Sequence, residues 1–214
     1  MITDSPIEQR LIVKVLEKKE YQRVWKDMQD FTCNRNQNTV DEIWFVEHLP
    51  VFTLGQAGLE EHILTQSDIP VCKVDRGGQV TYHGPGQLVV YPLINIQRKN
   101  YGVRQFVSLL EKCIMDLLMK YDILGHTIDK APGVYIDGKK IASVGLKIKK
   151  GSSFHGIAIN INMDLSPFLL INPCGYQGLL MTQTSVESSL NNIQQAIDDF
   201  IDIFSDNLGY HYLG

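Results

Sequence analysis

The chain lacks several features that would each fix a class. No segment reaches the roughly eighteen uninterrupted apolar residues that a membrane helix needs, so no membrane association is expected. Its opening, "MITDSPIEQR", brings acidic residues early with no long apolar run behind them, unlike a signal peptide. A cytoplasmic protein is the expectation. Positive charge is in deficit, with 20 Lys and Arg against 24 Asp and Glu. That balance argues against nucleic-acid binding by general phosphate attraction. Cysteine is sparse and scattered: Cys33, Cys72, Cys113 and Cys174 make no C-x-x-C pair. Neither a zinc knuckle nor a dithiol motif follows, and a reducing compartment would keep all four as free thiols. There is no H-E-x-x-H and no other zinc-like histidine spacing, so no metal is expected. Repeats, low-complexity tracts and linkers are missing too. The 214 residues are read as one domain, 1–214.

What is present is a mixture of strand and helix patterns. "RLIVKVLE" reads as a strand. From about Glu20 to Cys33 a helix is predicted, with Tyr21, Val24, Trp25, Met28 and Phe31 at three- and four-residue steps. "EIWFVEHLPVFTLG" reads as two strands broken at Pro50, and "PVCKVD" as another. Beyond Asn100 a helix carries an apolar stripe of Phe106, Leu109, Leu110, Cys113, Leu117 and Tyr121. "GVYIDGKKIASVGLKI" predicts a hairpin turning at Asp137-Gly138, and "FHGIAININ" the next strand. A last helix is predicted from about Ser185 to Asn207, with Thr184 and Glu187 as a capping box. Without regular βαβ alternation the class is α+β, a mixed sheet with flanking helices.

One stretch, "RGGQVTYHGPGQLVVYP", puts four glycines into a segment that otherwise reads as strand. It is not G-x-G-x-x-G and no helix follows, so a dinucleotide fold is disfavoured. It is not a P-loop either. The glycines read as bulges or bends, or as backbone that a ligand approaches closely. Cys174 lies on a loop between Pro173 and Gly175, where a thiol can be presented to a substrate, although most free cysteines are small buried hydrophobes. A reactive thiol needs a base or a cation beside it. Strict alternation along "KKIASVGLKI" puts Lys140 with Ala142, Val144, Leu146 and Ile148, an apolar face. Lys139 falls on the polar one. A lysine so placed either finds an anion, such as Cys174, or snorkels to water from the strand end. His83 and His155 stand at strand ends, and a lone histidine is more often a structural hydrogen-bonder than a catalyst.

The motifs together resemble one family, the lipoyl(octanoyl) transferases. The glycine stretch matches R-G-G-x-x-T-x-H-x-P-G-Q. "GKKIASVGLKI", "FHGIAINI" and "PCG" match the family's later motifs in order and spacing. "EHLPVFTLG" is similar to its earlier one, with Phe52 where tyrosine is usual. The resemblance runs from about Glu47 to Cys174 and beyond. It implies an α/β fold like the catalytic domain of biotin and lipoate protein ligases. It also implies transfer of an octanoyl group from octanoyl-acyl carrier protein to a lysine of lipoyl-domain proteins, through a cysteine thioester. Cys174 matches the nucleophile and Lys140 its assisting lysine. The acyl slot falls on Arg76, Gly77, Gly78, Gln79, Val80, Thr81, Tyr82 and His83, on Ser143, Val144 and Gly145, and on Gly156, Ile157 and Ala158. No cofactor is implied, and a monomer is expected. Rival readings are an ATP-dependent lipoate–protein ligase, an amidotransferase between lipoyl proteins, and a catalytically dead acyl-binding protein.

Overall fold

The computed structural model describes residues 5–213. The first four residues, part of the acidic opening noted above, and Gly214 lie outside it. Strands β1 (Arg10–Lys19), β2 (Asp41–His48), β6 (Gln87–Leu93), β7 (Gly133–Ile136), β8 (Lys139–Lys149), β9 (Ser152–Asn160) and β10 (His211–Leu213) form one sheet, in the order β10-β1-β2-β6-β9-β8-β7. The pairs β10/β1 and β1/β2 are parallel and the rest antiparallel. A smaller sheet holds β4 (Val71–Lys73), β3 (Val51–Leu54) and β5 (Val80–His83) in that order. The class is α+β, a mixed sheet with helices packed on it.

The main core lies between the large sheet and helices α2 (Val103–Met119) and α4 (Ile193–Leu208). Helix α2 buries Phe106, Leu110, Cys113 and Leu117 as its stripe predicts, and adds Ile114 and Leu118. Helix α4 buries Ile197, Phe200, Phe204 and Leu208, each such side chain contributing about 1.5–3 kcal/mol of transfer free energy. Helix α1 (Tyr21–Asn34) covers the opposite sheet face through Val24 and Met28. A third cluster joins Phe52, Leu54 and Tyr82 of the small sheet to Phe168 and Ile171.

Both turns of the β7–β8–β9 meander, the predicted one at Asp137-Gly138 and a second at Lys150-Gly151, obey local chemistry. Asp137 and Gly138 have φ of 47° and 78°, as do Lys150 and Gly151 with 49° and 75°, the left-handed pair that a two-residue hairpin turn requires. The predicted final helix is instead two pieces, α3 (Thr184–Glu187) and α4. Its capping box does not form. Thr184 Oγ1 donates to Ile161 O and Leu190 O, while Glu187 accepts from Thr182 Oγ1. These longer contacts outcompete the local cap, and the chain restarts as a helix at Asn192, whose side chain accepts from Gln195 N–H.

One buried charge ties distant segments together. Asp41, with 0% exposure, meets Arg35 from the end of α1 and Arg98 from the β6–α2 connection. It also accepts from Asn95 N and from Tyr210 Oη, each at 2.8 Å. Tyr210 stands just before β10, so this knot fastens the parallel edge of the sheet. That edge, a three-residue strand, carried no readable sequence pattern.

Candidate active site

Cys174 sits in a tight turn, Pro173–Gly175, after the third core cluster. Its φ of 56° and the 80° of Gly175 give two successive left-handed residues, an arrangement uncommon for a residue with a Cβ. The turn is pinned by Asn172 N–H donating to His62 O at 2.8 Å and Gly175 N–H donating to Asn172 O at 2.9 Å. The thiol is half-buried, whereas Cys72 and Cys113 are buried and Cys33 is exposed. All four thiols are unpaired.

Lys140 comes to Cys174 by a route that alternation does not foresee. In the β7/β8 ladder Tyr135 pairs with Lys140, but Val134 pairs with Ala142. Ile141 is therefore the extra residue of a bulge, and it enters the main core beside Ala142. The bulge puts Lys140 on the face opposite Ala142, with Tyr135, and not on the apolar face as the strand reading had it. Its backbone is clamped by a passing segment: Lys140 N–H donates to Leu180 O at 2.8 Å, and Thr182 N–H to Lys140 O at 3.0 Å. Gly133 makes room for the side chain. A Cβ there would stand 2.6 Å from Lys140 Cε and 2.3 Å from Ala142 O, at φ of 133°. The Lys140 side chain is 1% exposed. Its Nζ donates to Pro132 O at 2.9 Å and to Cys174 Sγ at 3.1 Å, and lies 5.2 Å from the centre of the Tyr135 ring.

Burial alone would push the Lys140 ammonium towards neutrality. The Cys174 sulfur, and then the Tyr135 phenol, more than offset that, and the group is held above the ordinary lysine range. The arrangement therefore keeps Lys140 as an ammonium against the Cys174 sulfur.

The pair opens on a cavity of about 320 Å³. Arg76, Gly77, Gly78, Gln79, Val80, Thr81 and His83 form one wall, Ser143, Val144 and Gly145 a second, and Gly156, Ile157 and Ala158 a third. Tyr82, placed in the slot by resemblance, is not among these walls. It alternates to the other side of β5 and packs on Phe52 and Phe168. Glycine is required at Gly156 for a reason other than ligand room, since a Cβ there would lie 2.0 Å from Val90 O on the neighbouring strand. Sequence reading missed Tyr21, Val89, Tyr91, Val107, Pro132, Leu146, His155 and Tyr176, which also line the cavity. His155 was noted, but only as a residue at a strand end.

The closed side of the cavity is polar and aromatic. Tyr21 stacks on His83 at 5.7 Å between ring centres and tilts against His48. His48 reaches Tyr91 Oη at 2.7 Å, and His83 reaches Gln87 Oε1 at 2.7 Å. Burial holds both histidines neutral, His48 lowered to about 4 and His83 to about 3. His155, at φ of 57°, contacts Asp75 at 2.9 Å and Tyr21 Oη at 3.3 Å. Among the described residues no group of three or more His, Cys, Asp or Glu could hold a metal ion, and no helix is long and apolar enough to cross a membrane.

The fold is that of the lipoate and biotin ligases. It matches a lipoate-protein ligase A bound with ATP at a TM-score of 0.77 and 13% identity, over 96% of this chain and 90% of that one. A biotin protein ligase from Aquifex aeolicus matches at 0.54 and 13%, over 94% and 69%. Within that class the chain belongs to the Lipoyl protein ligase A/B catalytic domain family, which it matches over residues 21–208. Among its relatives, the "Octanoyltransferase" of Shewanella denitrificans is 55% identical over 95% of this chain and 90% of that protein. The "Octanoyltransferase" of Shewanella sediminis is 53% identical over 96% and 94%.

Proposed function

We propose that this chain is an octanoyltransferase that moves an octanoyl group from a carrier-protein thioester to a lysine of a lipoyl protein, holding it in between on Cys174. The observation that carries the reading is the 3.1 Å contact of Lys140 Nζ with Cys174 Sγ at a cavity of about 320 Å³. The near full-length relatives named octanoyltransferase support the reaction class.

The charge balance of the pair drives both halves of the reaction. In the resting site the thiolate is the nucleophile, and Lys140 carries the proton. Attack on the donor carbonyl forms the Cys174 thioester and breaks the donor C–S bond. The carrier sulfur leaves with the electron pair and takes the proton from Lys140. Acylation removes the anion that had held Lys140 as ammonium. Burial then acts unopposed by the sulfur and keeps Lys140 as neutral amine. A neutral acceptor amine attacks the thioester, passes its surplus proton to Lys140, and Cys174 leaves as thiolate. The ammonium–thiolate pair is restored and no proton is gained or lost. Thioester exchange is nearly balanced and amide formation is downhill, so the scheme consumes no nucleotide.

Intact-mass measurement after mixing with octanoyl carrier protein tests the reading. An adduct of octanoyl mass, mapped to Cys174, absent from Cys174→Ser and discharged by a lipoyl-domain acceptor, is expected. Modification of the acceptor that needs ATP and persists in Cys174→Ser would make the chain a ligase instead.

A further inference from the structure

Arg76 is 8% exposed, yet among the described residues it makes no ion pair with a carboxylate. Neutral oxygens hold it. Its Nη2 donates to Thr53 O at 2.6 Å and to Thr53 Oγ1 at 2.8 Å, its Nε to the same Oγ1 at 3.3 Å, and its Nη1 to Gly77 O at 2.9 Å. Thr53, in the middle of β3, is itself 0% exposed. A guanidinium does not shed its proton inside a protein, so this charge cannot be relieved as a buried lysine's can. Leaving it without an opposite charge costs stability. The other buried guanidiniums of the chain, Arg35 and Arg98, share Asp41.

The groups around Arg76 offer one source of negative charge. Tyr21 of α1 and Tyr91 of β6 are phenols that burial holds protonated. His83 of β5 and His155 of β9 are imidazoles, and burial lowers both. Asp75 is turned away, accepting from Trp25 Nε1 and contacting His155. Beside Cys174 stand Lys140 and the phenols Tyr135 and Tyr176. Among the described residues of the cavity walls, Cys174 is the one thiol, an acid whose conjugate base carries negative charge. Lys140 is the contact cation for it; Arg76, and the exposed Lys130 at the rim, are further cations lining the cavity.

We propose that Arg76 is the remote counter-charge of the site, helping to keep Cys174 ionised, and that Thr53 is the positioning residue that fixes where this charge stands. The inference rests on Cys174 being the nucleophile. It gives the arginine of the glycine stretch an electrostatic task in addition to its place in the slot wall.

The test is the pH profile of Cys174 alkylation by iodoacetamide in the full chain, followed on the Cys174 peptide by mass spectrometry. Exposed Cys33 serves as internal control. Arg76→Met is expected to raise the alkylation midpoint by about one pH unit, and so to slow the reaction about tenfold at pH 7, with the Cys33 profile unmoved. Arg76→Lys should retain most of the wild-type profile. Thr53→Val, which keeps the shape but removes Oγ1, should fall between the two. A Cys174 midpoint unchanged in folded Arg76→Met overturns the proposal. Should Arg76→Met lose its native near-UV spectrum, Thr53→Val decides, and an unmoved midpoint there overturns it equally. Alkylation needs no acyl donor, so a missing octanoyl adduct would sink the proposed function while leaving this profile readable.

Discussion

Two buried charged clusters in this fold keep very different company. Asp41 is surrounded by two guanidiniums, a phenol and a backbone amide. Its charge is matched, and its four partners come from three segments. Arg76 and Lys140 are as deeply buried, yet meet only neutral oxygens and one sulfur. The first cluster has its counter-charges built in and so fastens the edge of a sheet. The second sets two cations around one sulfur, with no carboxylate among their contacts. Matching makes a structural charge inert, and the missing carboxylate makes the other reactive.

Removing a member of each cluster separates the two. Lys140→Met should lower octanoyl transfer by about 10²–10⁴-fold, the range for a lost proton-transfer partner. Its thermal stability should fall far less than in Asp41→Ala, because the half-buried sulfur left behind is neutral once protonated, whereas a stranded guanidinium keeps its charge. Transfer assays and thermal melts on one preparation check this, and a large loss of stability would mean that the two clusters are alike after all. Asp41→Ala should do the reverse. Stranding two guanidiniums costs about 3–5 kcal/mol, a fall in Tm of roughly 10 °C for a chain of this size. The alkylation profile of Cys174, measured well below that Tm, should not move.

Acid sharpens the contrast with a smaller effect. His48 and His83 sit behind the site with folded values lowered to about 4 and about 3. The unfolded chain therefore binds protons that the folded one does not, starting near pH 6.5. Stability should be full above that pH and decline as it falls towards about 4. Denaturant titration across this range checks the sign. His48→Gln should lessen the slope, and stability that rises on acidification would contradict the burial of both rings as neutral groups.

Legibility in the sequence followed the range of the interactions. Helices α1 and α2, the hairpins and the break at Pro50 rest on local periodicity or turn residues, and these the sequence displays. Three features that rest on distant contacts were lost. Thr184 abandons its cap for Ile161 and Leu190. The short strand β10 exists because β1 offers an edge. The face of Lys140 depends on a register set by β7. The candidate site divides the same way. Cys174, Lys140 and the glycine walls stand in motifs and were named. Tyr82 was misassigned, since a motif says nothing of which side of β5 a residue takes. Tyr21 and Tyr91 look like ordinary core aromatics until the fold closes. Thr53 gives no sign in the sequence that it holds Arg76.

Because Ile141 is the surplus residue of its ladder, the reactive amine is aimed by counting as well as by chemistry. Were Ile141 instead taken into regular alternation, the strand would straighten and Lys140 would swing round towards the company of Ala142 and Val144. The chain would keep its lysine and its cysteine and yet part them. A comparison of relatives by residue identity alone would miss such a change, since it alters a pairing and no residue.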